Sequence, residues 1–221
     1  MNRADAVGPW RRAQRSALGA RRMAAPADQR REWGRTITAL LHQAFPMLGQ
    51  SSIGFYWPFR GEFDPRFAIF GWRRLGAQAA LPVVVRKDAA LEFRAWWPGV
   101  ATARGVYDLP IPQGSAVVRP DALLIPPLGF DAQGFRLGYG GGYFDRTLAA
   151  MQPQPLKIGV AFELSRMPTI RPQAHDIAMD FIVTEAGVHA VGDNGLALLP
   201  EAAQAAEWAH TLAVRRGLWR C

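Results

Sequence analysis

The sequence predicts an α/β fold, a single domain of three α/β/α layers around a mixed, mostly parallel sheet. Three observations carry this. Short apolar runs at Asp121–Pro127 (DALLIPP), Leu156–Phe162 and Asp180–Thr184 lack polar alternation, as strands covered on both faces do. Segments of helical composition separate such runs rather than being segregated to one end of the chain. A length of 221 residues, 49% hydrophobic and 20% charged, suits one domain with a sizeable core.

In chain order, helical period marks residues 10–23 and 28–45, and SSIGFYWP at 51–58 reads as a strand closed by Pro58. Asp64 followed by Pro65 is an N-cap with proline in the first turn, opening a helix that ends near Gly76. Leu81–Val85 and Leu91–Trp97 read as adjacent strands joined by a polar turn, and residues 98–120, rich in proline and glycine, as a loop. A strand at 121–127, a glycine-rich connection and a helix over 141–151 follow. Strands at 156–162 and 180–184 come next, with Gly187–Val191 as a candidate last one and Asp180 closing or capping its strand. The residues from about 199 have helical composition. The expected organisation is a flexible start (1–9), the α/β domain (10–192) and a carboxy-terminal extension with a helix (193–221).

No apolar run approaches the roughly 18–20 residues that span a bilayer, and the start lacks the apolar stretch of a secretory signal. The sole cysteine, Cys221, permits no internal disulfide and no cysteine metal cage, so a reducing cytoplasm is the expected location. The net charge is +8, and all basic residues except Lys87 and Lys157 are arginine. Residues 1–35 hold nine arginines and supply +6 of that charge. Four readings of this basic start stand side by side: a solvated helix face, a nucleic-acid arm, a transit peptide, or an anion site built into the fold. For the last, Arg11 and Arg15 are spaced i, i+4 and emerge from one helix face.

The stretch richest in chemistry is Leu123–Leu148, where a strand and a loop with Asp131 and Arg136 lead through Gly138, Gly140, Gly141 and Gly142 into a helix. Glycines let backbone N–H groups approach a ligand, and the helix aims its dipole at the same point, as phosphate binding requires. A ligand-free strand-to-helix connection uses the same residues. Arg136 before the glycines and Asp145 after them add a cation for phosphate and a carboxylate for magnesium. Neither the Gly-x-x-x-x-Gly-Lys-Ser/Thr loop nor the dinucleotide fingerprint is present.

At these residues, FDAQGFRLGYGGGYFDR resembles the signature of the 5-formyltetrahydrofolate cyclo-ligase family. Arg11-x-x-Gln14-Arg15, Tyr56–Asp64 (YWPFRGEFD) and His175-Asp176 to Thr184-Glu185 extend the resemblance over roughly residues 10–190. It implies ATP- and Mg2+-dependent closure of 5-formyltetrahydrofolate to 5,10-methenyltetrahydrofolate by a cytoplasmic enzyme, expected to be a monomer, with no membrane or nucleic-acid partner. In that scheme Arg11 and Arg15 hold ATP phosphates. Arg136 and the loop Leu137, Gly138, Tyr139, Gly140, Gly141, Gly142, Tyr143 and Phe144 wrap the nucleotide, and Asp145 and Asp176 serve magnesium. Arg136 and Asp145 sit closest to the reaction. Glu62 hydrogen-bonds the pterin, with Tyr56, Trp57, Phe59, Tyr107, Tyr139 and Tyr143 as its aromatic surroundings. Glu62 could instead only favour the helix that follows it, and His175 reads as structural. Arg11 replaces the family's lysine and Gly141 stands where some members have one. The alternative from another class is a non-catalytic anion- or RNA-binding protein that retains the fold.

Overall fold

The computed structural model describes residues 6–219, so Cys221 and the first five residues of the expected flexible start lie outside the described part. Two helices open the chain, α1 (Val7–Ala24) and α2 (Ala27–Ala44). They are separated because Pro26 forces Ala25 into the extended region (φ −64°, ψ 133°). A 3-10 turn at Pro46–Gln50 leads to β1 (Ser52–Gly54), α3 (Arg66–Arg74), β2 (Gln78–Val83) and β3 (Glu92–Trp96). Two short ribbons follow on either side of β6 (Ala122–Ile125): β4 (Thr102–Arg104) with β5 (Pro110–Pro112), and β7 (Gly129–Phe130) with β8 (Arg136–Leu137). The chain continues through α4 (Tyr143–Ala150), β9 (Leu156–Val160), β10 (Phe181–Thr184), β11 (Gly187–Gly192), β12 (Gly195–Leu199) and α5 (Ala202–Arg215).

The main sheet is mixed and eight-stranded, in the order β12-β11-β10-β9-β6-β1-β2-β3, and the molecule is a single α/β domain. The five strands from β10 to β2 run parallel, while β3 on one edge and β11 and β12 on the other are antiparallel additions. Alternate residues of each strand serve opposite faces. Leu124, Ile158 and Phe181 meet Leu41 and Phe45 on or just after α2, Trp72 of α3 and Ala209 of α5. Leu123, Ile125 and Ile182 meet Leu148 of α4 on the other face. Apolar runs without alternation are therefore what two covered faces demand.

Residues 193–219, set apart in the sequence as an extension, add β12 to the sheet edge, and α5 buries Ala205, Ala209 and Ala213. Asp180 anchors this end: its carboxylate meets Lys157 Nζ at 3.0 Å and accepts two hydrogen bonds from Arg216, at 2.6 and 2.8 Å. Two expectations change. The 98–120 loop contains the β4–β5 ribbon, and the connection after β6 contains the β7–β8 ribbon, because strands of two or three residues are too short to leave a period in the sequence. The order of the sheet reverses at β1, which feeds β2 on one side while β6 lies on the other. In open α/β sheets such a reversal leaves a crevice beyond the carboxyl ends of the strands.

Candidate active site

A cavity of about 440 Å³ occupies that crevice. Its floor comes from the segments after β1 (Tyr56–Glu62) and β6 (Pro126), and one wall from Leu81, Pro82 and Val84 at the end of β2. The other wall is Arg136 to Asp145. Arg11 and Arg15 of α1 line it beside Asp176 and Gly138, and the turn at Val106 and Tyr107 between β4 and β5 lines it beside Phe59.

The cationic end is a set of arginines with different commitments. Arg11 donates to the Ile170 and Arg171 carbonyls, at 3.1 and 2.9 Å, and places both Nη atoms on the Asp176 carboxylate. Burial opposes ionisation of Asp176, but hydrogen bonds from Arg11 and the Gln173 N–H outweigh it and hold its pKa below the usual aspartate value. Arg136 is similarly engaged, with Nη1 on the Ile177 carbonyl at 3.1 Å and Nη2 on Asp145 Oδ1 at 3.0 Å. Arg15 differs. Its Nε donates to the Gly138 carbonyl at 2.7 Å, and among the described residues neither Nη atom has a protein acceptor. Burial, then repulsion from Arg11 and Arg12, lowers its pKa, so an anion here would relieve a charge already disfavoured.

Glycine is required at two places in the loop that faces these arginines. Gly140 and Gly142 have φ of +98° and +64°, and a Cβ on Gly140 would stand 3.3 Å from the Arg15 guanidinium carbon. Gly142 caps α4, so the first N–H groups of that helix and its dipole face the cavity, with Asp145 in the first turn. The other end is aromatic and aliphatic. Phe59 lies 6.0 Å from both the Tyr107 and Tyr139 rings, Trp57 carries the Arg66 guanidinium at 4.4 Å, and Tyr107 is 60% exposed. The buried phenol of Tyr56 donates to the Phe63 carbonyl.

Between the two ends lies Glu62, its side chain 4% exposed. Oε2 accepts the Phe59 N–H at 2.9 Å and Oε1 the Tyr139 hydroxyl at 2.7 Å. Burial raises the Glu62 pKa, partly offset by Tyr139, Arg22 and the Phe59 N–H.

Every site residue expected from the sequence lines this one cavity: Arg11, Arg15, Tyr56, Trp57, Phe59, Glu62, Tyr107, Arg136, the loop from Leu137 to Phe144, Asp145 and Asp176. Of the basic start, Arg11 and Arg15 reach the cavity while Arg12, Arg21, Arg31 and Arg35 stay exposed. His175 reaches the rim, 73% exposed and 3.9 Å from Asp176.

Sequence reasoning missed Arg22 as part of this architecture and named Asp131 without giving it a role. Arg22 sits beneath Tyr139 and Glu62, and its spacing of eleven from Arg11 on one helix face was the available signal. Asp131, 1% exposed, accepts the Gln133, Phe135 and Ile170 N–H groups and so fixes the loop that carries Asp176. Among the described residues no group of three or more His, Cys, Asp and Glu could cage a metal. Asp145 Oδ2 nonetheless has no protein donor among them, and Asp176 lines the same cavity. One or two carboxylates completed by phosphate oxygens and water is the usual magnesium arrangement, so these residues fit the ion if a polyphosphate brings it.

The model of the 5-formyltetrahydrofolate cyclo-ligase family matches residues 7–185. The 5-formyltetrahydrofolate cyclo-ligase of Escherichia coli K12 is 28% identical over 177 residues, 76% of this chain and 96% of that one. The enzyme of that name from Mycolicibacterium smegmatis is 34% identical over 119 residues, 50% of this chain and, at 61%, less than two thirds of its own length. Among solved structures, the NMR structure of Aquifex aeolicus 5,10-methenyltetrahydrofolate synthetase superposes with a TM-score of 0.72 at 26% identity, covering 86% of this chain and 96% of that one.

Proposed function

The chain belongs to the 5-formyltetrahydrofolate cyclo-ligase family, and on that premise we propose that it cyclises 5-formyltetrahydrofolate to 5,10-methenyltetrahydrofolate with ATP and Mg2+. The observation that carries this reading is the single cavity whose cationic, glycine-lined end runs into an aromatic end with a buried carboxylate between them. A polyphosphate suits the first end and a pterin with its benzoyl ring the second.

The formyl oxygen attacks the γ-phosphorus of ATP and ADP departs. N10 then attacks the activated formyl carbon and loses its proton, and the C–O bond to phosphate breaks, leaving the conjugated five-membered ring and inorganic phosphate. No protein nucleophile is needed, so the chain's work is positioning and charge stabilisation. Arg15, whose two Nη atoms have no acceptor among the described residues, takes the phosphates together with the loop N–H groups from Gly138 to Phe144. Arg136 and Arg11 hold Asp145 and Asp176 in place, and a phosphate arriving at either arginine would free part of the paired carboxylate. Mg2+, when bound there with the nucleotide, would neutralise charge on the transferring phosphoryl group. Glu62 accepts hydrogen bonds from the pterin amino and N–H groups, while Tyr56, Trp57, Phe59 and Tyr107 enclose the rings. Tyr139 and Tyr143 stand between the substrates. The same reading has the protein acting as a cytoplasmic monomer without nucleic acid.

The test is the absorbance rise of methenyltetrahydrofolate when pure, folded protein meets 5-formyltetrahydrofolate and Mg-ATP. No rise above the enzyme-free rate would overturn the reading. Affinity for RNA that falls steeply with salt would then favour the anion-binding alternative.

A further inference from the structure

Next to the cavity, the Arg22 side chain is 3% exposed and its guanidinium faces residues of the site. Nε donates to the Arg60 carbonyl at 3.0 Å, Nη2 to the Tyr139 hydroxyl at 2.6 Å, and Nη1 lies 3.8 Å from Glu62 Oε1. The Tyr139 hydroxyl in turn donates a hydrogen bond to Glu62 Oε1 at 2.7 Å, so Arg22, Tyr139 and Glu62 form one chain. That chain joins α1 to the glycine loop and to the segment after β1. We propose that Arg22 is a positioning residue for the folate half of the reaction, holding the Glu62 carboxylate and the Tyr139 hydroxyl in place so that the pair presents a fixed acceptor surface to the substrate ring.

The physical case is the isolation of Glu62. Its facing groups are Arg22 from α1, Tyr139 from the loop, and Tyr56 with the Phe59 N–H from its own segment. Arg22 is the only cation among them, and without it a buried carboxylate would hold its proton to higher pH. A protonated Glu62 has one acceptor oxygen fewer to offer a ring that presents donors. Arg22 also reaches two hydrogen-bond acceptors and the Glu62 carboxylate with one planar fork, which an ammonium group cannot reproduce.

This inference rests on the proposed folate reaction, and wild-type turnover measured alongside reports on that reaction separately. The experiment is the pH dependence of kcat/KM for 5-formyltetrahydrofolate, with KM for ATP, in wild type, Arg22→Met and Arg22→Lys, each checked by thermal melting. Arg22→Met should lower kcat/KM for folate about 10- to 100-fold at neutral pH, the scale of a lost charge-assisted contact. It should also move the acid limb of the profile to higher pH, and leave KM for ATP within about twofold. Arg22→Lys should return the acid limb to its wild-type position while KM for folate stays raised. Equal losses for both substrates, or an unmoved acid limb in Arg22→Met, would reduce Arg22 to a helix anchor and overturn the proposal. If Arg22→Met does not fold, an unchanged KM for folate in Arg22→Lys overturns it, and a raised one with unchanged KM for ATP supports it.

Discussion

The two ends of the cavity are built on opposite terms. At the cationic end most charges are already satisfied, Arg11 by Asp176 and Arg136 by Asp145, so a ligand there competes with ion pairs that are in place. Arg15 is the exception, with only its Nε engaged among the described residues. At the aromatic end the polar groups Tyr56 and Glu62 are satisfied by protein partners, while Tyr107 and Val106 are exposed, 60% and 45%. Pre-organised charge at one end and open apolar surface at the other mean that substitutions should separate. Changes at the first end act on turnover, on ATP or on stability, whereas changes at the second act on folate affinity alone.

Arg11→Ala puts the largest strain on that contrast. It leaves Asp176 buried without its cation, and removing one partner of a buried pair costs about 3–5 kcal/mol. Urea denaturation should record a loss of this size, together with release of the loop at 170–176. An Arg11→Ala protein as stable as wild type would mean that the pair is not structural. Asp145→Asn keeps shape but loses the charge that a metal requires. Its kcat is expected to fall by two powers of ten or more, about 3 kcal/mol, with KM for folate little changed. Wild-type kinetics at limiting magnesium would remove Asp145 from that role.

Arg15→Ala should be milder and more specific. A charged phosphate contact is worth about 1.5–3 kcal/mol, one to two powers of ten in kcat/KM for ATP, and no comparable stability is lost because Arg15 supports only one carbonyl. If Arg15→Ala and Arg11→Ala behaved alike, the distinction between the free and the committed arginine would be lost. The smallest effect belongs to Tyr107→Ala. Loss of one exposed aromatic contact should raise KM for folate a few-fold, at about 0.5–1.5 kcal/mol, and leave ATP untouched. A change in KM for ATP of the same size would mean that the two ends are not separate.

Much of this was legible in the sequence because it lies in contiguous, patterned segments. Unalternated runs such as Ala122–Ile125 announced buried strands, and Gly138 to Gly142 between a strand and a helix announced the turn that needs positive φ at two positions. The i, i+4 spacing placed Arg11 and Arg15 on one face, yet it could not say that Arg11 would be consumed by Asp176, 165 residues away. That depends on how Asp131 folds the 170–176 loop back onto α1, a contact with no local signal. The β4–β5 and β7–β8 ribbons escaped for a related reason: a strand of two or three residues is specified by its partner and its turn rather than by its own period. Arg22 was visible only as one more basic residue in a basic stretch until burial set it apart from Arg12 and Arg21.

The contrast between the two ends is tested most directly by a crystal structure of the protein with a non-hydrolysable ATP analogue, magnesium and 5-formyltetrahydrofolate. The triphosphate should lie within hydrogen-bond distance of the Arg15 Nη atoms and the Gly138–Gly142 backbone, and the pterin should meet Glu62 under Tyr107. Triphosphate density away from Arg15, or a pterin bound outside the Phe59–Tyr107 end, would contradict this account.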